Sequence, residues 1–166
     1  MRTPTPLALS RSTTPSRILL AEDDAEFREM LVDLLQIEGY EVVAVRDGAE
    51  LRAHLEAWQQ DPQQAASYSL ILSDLRMPNG DALQVLESLG ARRSQTPVLL
   101  MSAFADEELH ERARRAGVVG VLGKPFDVDD LRTVLYNLTH ATSRSSSALR
   151  AVLAAANDSL ASHEPR

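Results

Sequence analysis

Five short apolar runs, each followed by an amphipathic stretch, constrain the fold of this chain more than any other feature. The runs are Ile18-Leu19-Leu20-Ala21, Val42-Val43-Ala44-Val45, Leu70-Ile71-Leu72, Val98-Leu99-Leu100-Met101 and Val118-Val119-Gly120-Val121-Leu122. Each is too short for a buried helix and reads as a strand. Between them apolar residues recur at helical spacing, as in Phe27, Met30, Leu31, Leu34 and Leu35, or Val128, Leu131, Val134, Leu135 and Leu138. The pattern predicts strands over 17–21, 40–45, 69–73, 97–101 and 118–122. It predicts helices over 25–37, 49–59, 81–89, 106–116 and 127–138. Asp24 is placed to cap the first helix and Gly39 to end it. Asp47-Gly48 and Pro78-Asn79-Gly80 read as turns, and residues 59–67 as a polar loop. Strands alternating with helices imply βαβ units with right-handed crossovers. Strands apolar on both faces imply a covered sheet. The expected fold is α/β, a doubly wound five-stranded parallel sheet with helices on both faces.

At 166 residues the chain is long enough for one domain with a proper core. Residues 1–16 are rich in Thr, Pro, Ser and Arg without periodicity and read as a disordered arm. The domain is expected over 17–141. Residues 142–166 begin with a Ser-rich hinge, after which Leu149, Val152, Leu153, Ala156 and Leu160 form a stripe compatible with a short helix. There is no cysteine, which excludes disulfides, thiol chemistry and Cys-based metal sites. The net charge of −7 argues against nucleic acid as a direct partner. No apolar run approaches the ~20 residues of a membrane span, and there is no signal core, so a cytoplasmic protein is expected.

The ends of four runs carry chemistry. The first ends in Glu22-Asp23-Asp24, the third in Asp74, the fourth in Ser102, and the fifth is followed by Lys124. Lys124 is the single lysine beside sixteen arginines. An ammonium is a compact point charge and a guanidinium a planar fork, so a narrow site would demand lysine. In open α/β sheets ligands bind outside the carboxyl ends of the strands, so these residues are expected to meet in space. Three carboxylates, Glu22, Asp23 and Asp74, raise one another's pKa unless a cation compensates. Their hard oxygens suit Mg2+ together with a phosphate oxygen. Asp74 is then the candidate nucleophile, with Lys124 as the second cation and the Ser102 hydroxyl bonding a phosphoryl oxygen. Taken singly, adjacent acids after a strand are often only a helix cap, a lone Asp a turn residue, and Lys before Pro a solvated side chain. The specificity lies in their conjunction at four strand ends in order.

The chain resembles the receiver domain of two-component response regulators. The resemblance rests on Ile18-Leu19-Leu20-Ala21-Glu22-Asp23-Asp24, Asp74-Leu75-Arg76-Met77-Pro78-Asn79-Gly80-Asp81, Met101-Ser102-Ala103 and Gly123-Lys124-Pro125-Phe126, and extends over residues 17–138. It implies the flavodoxin-like receiver fold with Asp74 as phosphoacceptor. It implies Mg2+ bound by Asp23 directly, by Glu22 through water and by the backbone carbonyl of Arg76. Ser102 and Lys124 become the switch hydroxyl and the phosphate-binding lysine, and Asp24 is left to capping. The implied phosphoryl donor is a histidine kinase or phosphotransfer protein. A downstream protein would bind the face of the fourth helix, fifth strand and fifth helix, and a homodimer is compatible with the family. No classical enzyme activity is implied beyond self-phosphorylation and autodephosphorylation.

Two departures from the family pattern carry expectations. Val121 occupies the place where the family usually has an aromatic residue, three before the lysine, and Phe104 is the candidate substitute packing element. The segment after the fifth helix leaves no room for an output domain, which suggests a stand-alone switch or phosphorelay shuttle. The alternatives are a receiver-like module acting by contacts alone and the N-terminal fragment of a larger regulator. A phosphohydrolase with an Asp nucleophile is disfavoured, because position 76 is Arg where that class needs a second acid.

Overall fold

A computed structural model describes residues 16–61, 68–90, 96–140 and 154. Almost all of the expected arm over 1–16, the expected tail over 142–166 and most of the expected loop over 59–67 lie outside the described residues. Five strands, β1 (Arg17–Ala21), β2 (Glu41–Val45), β3 (Leu70–Asp74), β4 (Val98–Ser102) and β5 (Gly120–Gly123), alternate with five helices. The helices are α1 (Ala25–Ile37), α2 (Gly48–Gln60), α3 (Ala82–Leu89), α4 (Glu107–Arg115) and α5 (Val128–His140). All strand pairs are parallel, in the order β2-β1-β3-β4-β5. The expected doubly wound sheet is thus the observed one.

The strand side chains explain the two layers. Leu19, Ala21, Ile71, Val98, Leu100 and Val121 pack on one side with Leu51, Leu55 and Trp58 of α2, Leu83 and Leu86 of α3, and Leu109 and Ala113 of α4. Ile18, Leu20, Leu70, Leu72, Leu99, Met101 and Leu122 point the other way, onto Leu31 and Leu35 of α1 and Leu131, Val134 and Leu135 of α5. Period-two alternation thus splits each of these strands between two cores, and each full burial of a Leu or Ile contributes about 1.5–3 kcal/mol.

Four helices start from an Asp whose carboxylate accepts the N–H three residues on. Asp24 accepts from Phe27 at 2.8 Å, Asp47 from Glu50 at 2.8 Å, Asp81 from Gln84 at 2.7 Å and Asp106 from Leu109 at 2.8 Å. Each such cap stabilises a helix by about 1 kcal/mol. Gly39 ends the approach out of α1 at φ +90°, where a side chain would be strained.

The differences from the expected boundaries have local causes. β3 and β4 run one residue further, because Asp74 still pairs with Met101 and Ser102 with Gly123 in the ladder. β5 starts later than the apolar run, because the Val118 N–H turns back to the Ala113 carbonyl at the end of α4. The helix α2 begins at Gly48, whose N–H bonds the Pro78 carbonyl at 3.0 Å. Its Cα faces Gly80 so closely that a Cβ there would lie 1.9 Å from the Gly80 oxygen. Asn79, itself at φ 63°, donates from Nδ2 to Asp47 Oδ2 at 2.9 Å. The β2–α2 and β3–α3 turns are therefore fastened to each other.

Candidate functional site

In this strand order the chain reverses direction of growth between β1 and β3, and the cleft opens at their carboxyl ends. Glu22 and Asp23 follow β1, Asp74 closes β3, Ser102 closes β4 and Lys124 follows β5. The sheet thus delivers to one pole all the side chains picked out in the sequence. Their backbone is pinned by ladder-end bonds. Glu22 N–H reaches the Val45 carbonyl at 3.1 Å, Leu75 N–H the Met101 carbonyl at 2.8 Å and Lys124 N–H the Ser102 carbonyl at 2.7 Å. The Lys124–Pro125 peptide is cis.

Carboxylate oxygens of Glu22, Asp23 and Asp74 lie within 4.8 Å of one another, Asp23 exposed and the other two buried. The Lys124 ammonium binds Asp74 Oδ1 at 2.8 Å and Glu22 Oε2 at 2.9 Å. The other Glu22 oxygen accepts the Asp24 N–H at 3.1 Å. Burial pushes the Glu22 carboxyl above the ordinary glutamate value, and the Lys124 hydrogen bond and charge offset this only in part. Burial also works against the Lys124 ammonium. Its hydrogen bonds and charge interactions with Asp74 and Glu22 outweigh that cost and hold it above the ordinary lysine value. A buried acid, a second acid at hydrogen-bond reach of the same cation and an exposed third make a strongly polar pocket. Its oxygens suit a hard divalent ion.

Ser102 stands apart from this cluster. Its hydroxyl donates to the Phe104 carbonyl at 2.9 Å and accepts the Phe104 N–H at 3.1 Å, so it closes its own turn. Phe104 lies at the surface, 70% exposed, with its ring 5.9 Å from the Arg76 guanidinium carbon. Val121 is buried in the same core as Leu100, Leu109 and Ala113, directly under α4.

Sequence reasoning passed over three contributors. Arg28 donates from Nη1 to the backbone carbonyls of Glu22 at 2.7 Å and Asp23 at 3.2 Å, which holds the turn that presents the acidic pair. Phe27, assigned only to the core stripe, also lays its ring 4.9 Å from the Lys124 Nζ. Asn79 ties the Asp74–Asp81 loop to Asp47. The available signals were an arginine four residues after the cap Asp24 and an aromatic three residues after it.

The family described as response regulator receiver domain matches residues 18–136. The transcriptional regulatory protein PdtaR of Mycobacterium tuberculosis is 35% identical over 121 residues, covering 72% of this chain and 55% of that protein. The regulatory protein AtoC of Escherichia coli is 31% identical over 123 residues, covering 74% of this chain and 25% of that protein. The chain therefore spans about half of PdtaR and a quarter of AtoC. Among solved structures, the chemotaxis response regulator CheY4 of Vibrio cholerae is similar with a TM-score of 0.64 at 28% identity, over 75% of this chain and 99% of that one.

Proposed function

This chain belongs to the response regulator receiver domain family, and from that premise we propose that it is a phosphorylation-controlled signalling switch or phosphorelay shuttle whose phosphoacceptor is Asp74. The observation that carries the reading is the Asp74 carboxylate. It is held at 2.8 Å by the Lys124 ammonium and set among the oxygens of Glu22 and Asp23. A carboxylate oxygen of Asp74 attacks the phosphorus of a phosphohistidine on a histidine kinase or phosphotransfer protein. The new O–P bond forms as the P–N bond breaks. The electron pair stays on the imidazole nitrogen, which takes a proton from solvent. Lys124 stabilises the charge carried by the phosphoryl oxygens. The Ser102 hydroxyl leaves its turn with Phe104 to bond one of them.

The oxygens at hand fit Mg2+. Asp23, Asp74 and the Arg76 carbonyl would hold the ion directly, and Glu22 would act through water, because both its oxygens already have donors. When bound, Mg2+ supplies compensation for the negative charge of the carboxylates and the phosphoryl group.

Residues 17–141 form the receiver in this reading, between the segments 1–16 and 142–166. The output face is that of α4, β5 and α5, open to a downstream protein. With Val121 buried, the response runs through Ser102 and the backbone of 103–105, with Phe104 moving off Arg76. The cytoplasm is the expected location; among the described residues no helix is long and apolar enough to cross a membrane. A second reading, the receiver part of a longer regulator, is supported by the partial span of PdtaR.

The test is labelling by acetyl phosphate. Wild type takes label in Mg2+ and not in chelator, and Asp74→Asn takes none. Label in the Asn variant, or equal label in chelator, defeats the assignment.

A further inference from the structure

Among the described residues, the Lys124 ammonium lies beside two acids and an aromatic ring. Asp74 Oδ1 and Glu22 Oε2 take two of its hydrogens, and the ring of Phe27 stands 4.9 Å away as a third wall. A π face attracts a cation most strongly where water is partly excluded, and the Lys124 side chain is only 23% exposed. Phe27 is itself well fixed. Its N–H is the donor to the Asp24 cap at 2.8 Å, which sets the residue in the first turn of α1. Its ring leans on Phe126 with centroids 6.0 Å apart and planes at 57°. Phe126 lies two residues beyond Lys124, so the ring beside the lysine is itself buttressed from the lysine's own loop.

Resting on the phosphoacceptor reading above, we propose that Phe27 is a positioning residue for phosphoryl transfer. Its ring face holds the Lys124 ammonium against Asp74 and Glu22 and limits its excursions toward solvent. A lysine side chain has several rotatable bonds, and its ammonium is readily drawn off by water. The ring narrows that range before the phosphoryl group arrives, so less ordering remains to be done in the transfer step. Asp24 acquires a role by the same route, because its cap sets the position of the ring. A purely space-filling Phe27 would be replaceable by any side chain of similar bulk, whereas a positioning ring is replaceable only by another ring.

The single lysine makes this measurable. In the full chain labelled with 13C-lysine, one ε-methylene signal reports on Lys124 alone. In wild type and Phe27→Tyr its proton shift should lie upfield of free lysine through the ring current. In Phe27→Leu and Phe27→Met it should return to the free value. Under the same conditions the rate of labelling by acetyl phosphate should fall about two- to fivefold in both aliphatic variants and stay at the wild-type level in Phe27→Tyr. A wild-type signal at the free-lysine position overturns the contact. A displaced signal beside unchanged rates in Phe27→Leu and Phe27→Met overturns the positioning role. A wild-type chain that takes no label overturns the phosphoacceptor reading and the rate assignment with it, an outcome distinct from the other two.

Discussion

Replacing Gly48 by Ala sets two effects of opposite sign against each other. Gly48 is the first residue of α2, and glycine-to-alanine in a helix ordinarily gains about 0.5–1 kcal/mol. Here the new Cβ would stand 1.9 Å from the Gly80 oxygen, 2.6 Å from its carbonyl carbon and 2.9 Å from its Cα, all backbone atoms. Real contacts stay beyond 3.0 Å, so the two turns must part by at least about 1 Å. That separation strains or breaks the bond from the Gly48 N–H to Pro78 and the Asn79–Asp47 bond. At about 1 kcal/mol net for each hydrogen bond and about 1–3 kcal/mol for overpacking, the loss outweighs the propensity gain. The expected result is a net destabilisation of about 2–4 kcal/mol. Urea unfolding followed by circular dichroism measures it. Gly39→Ala is the comparison, because Gly39 has φ +90° with nothing within 4 Å, so only backbone strain of about 1 kcal/mol applies. A Gly48→Ala chain as stable as wild type, or more stable, would refute the close approach of the two turns.

Lys124→Arg keeps the charge but brings a wider planar group into a gap bounded by Asp74, Glu22 and the Phe27 ring. Phosphorylation should persist, while the amide shifts that beryllofluoride induces over residues 102–122 in wild type should be lost; wild-type shifts in the Arg variant would count against the role. Glu22 binds its proton more tightly folded than unfolded, since burial raises its carboxyl. Its contribution to stability is therefore greatest below the unfolded value of about 4.3 and declines as pH climbs through the folded value. Unfolding of wild type and Glu22→Gln across pH 3–7 (about that range) should show the wild type losing ground to the variant as pH rises, and a constant or opposite difference would contradict the burial argument.

Much of this architecture was readable because buried parallel strands need continuous apolar runs and amphipathic helices need a 3.6-residue period. The strands at Arg17–Ala21 and the helix at Ala25–Ile37 were readable to the residue. The sequence reading stopped β3 at Ser73 and β4 at Met101, but Asp74 and Ser102 still belong to the ladder, since pairing is a backbone property. Val118 looked like strand and instead closes α4, because its N–H serves the helix end. The meeting of Glu22, Asp23, Asp74 and Lys124 followed from strand ends sharing one pole. The orientation of the Ser102 hydroxyl did not, because a serine can bond its own turn as readily as a ligand. Phe27 was hidden for a similar reason: an aromatic at a core-facing position carries no mark of the cation beside it.

The polarity of the sheet has a practical consequence for handling the molecule. β1 enters at the end of the sheet opposite the acidic cluster, and α5, running antiparallel to the strands, returns to that same end, where the Tyr40 hydroxyl meets Thr139 Oγ1 at 3.0 Å. Both exits of the folded unit, before Arg17 and after His140, thus open away from Asp74. A tether, fluorophore or fused protein attached at either exit leaves the reactive pole clear. The unit can be immobilised by either end and still offer Asp74 to an incoming donor.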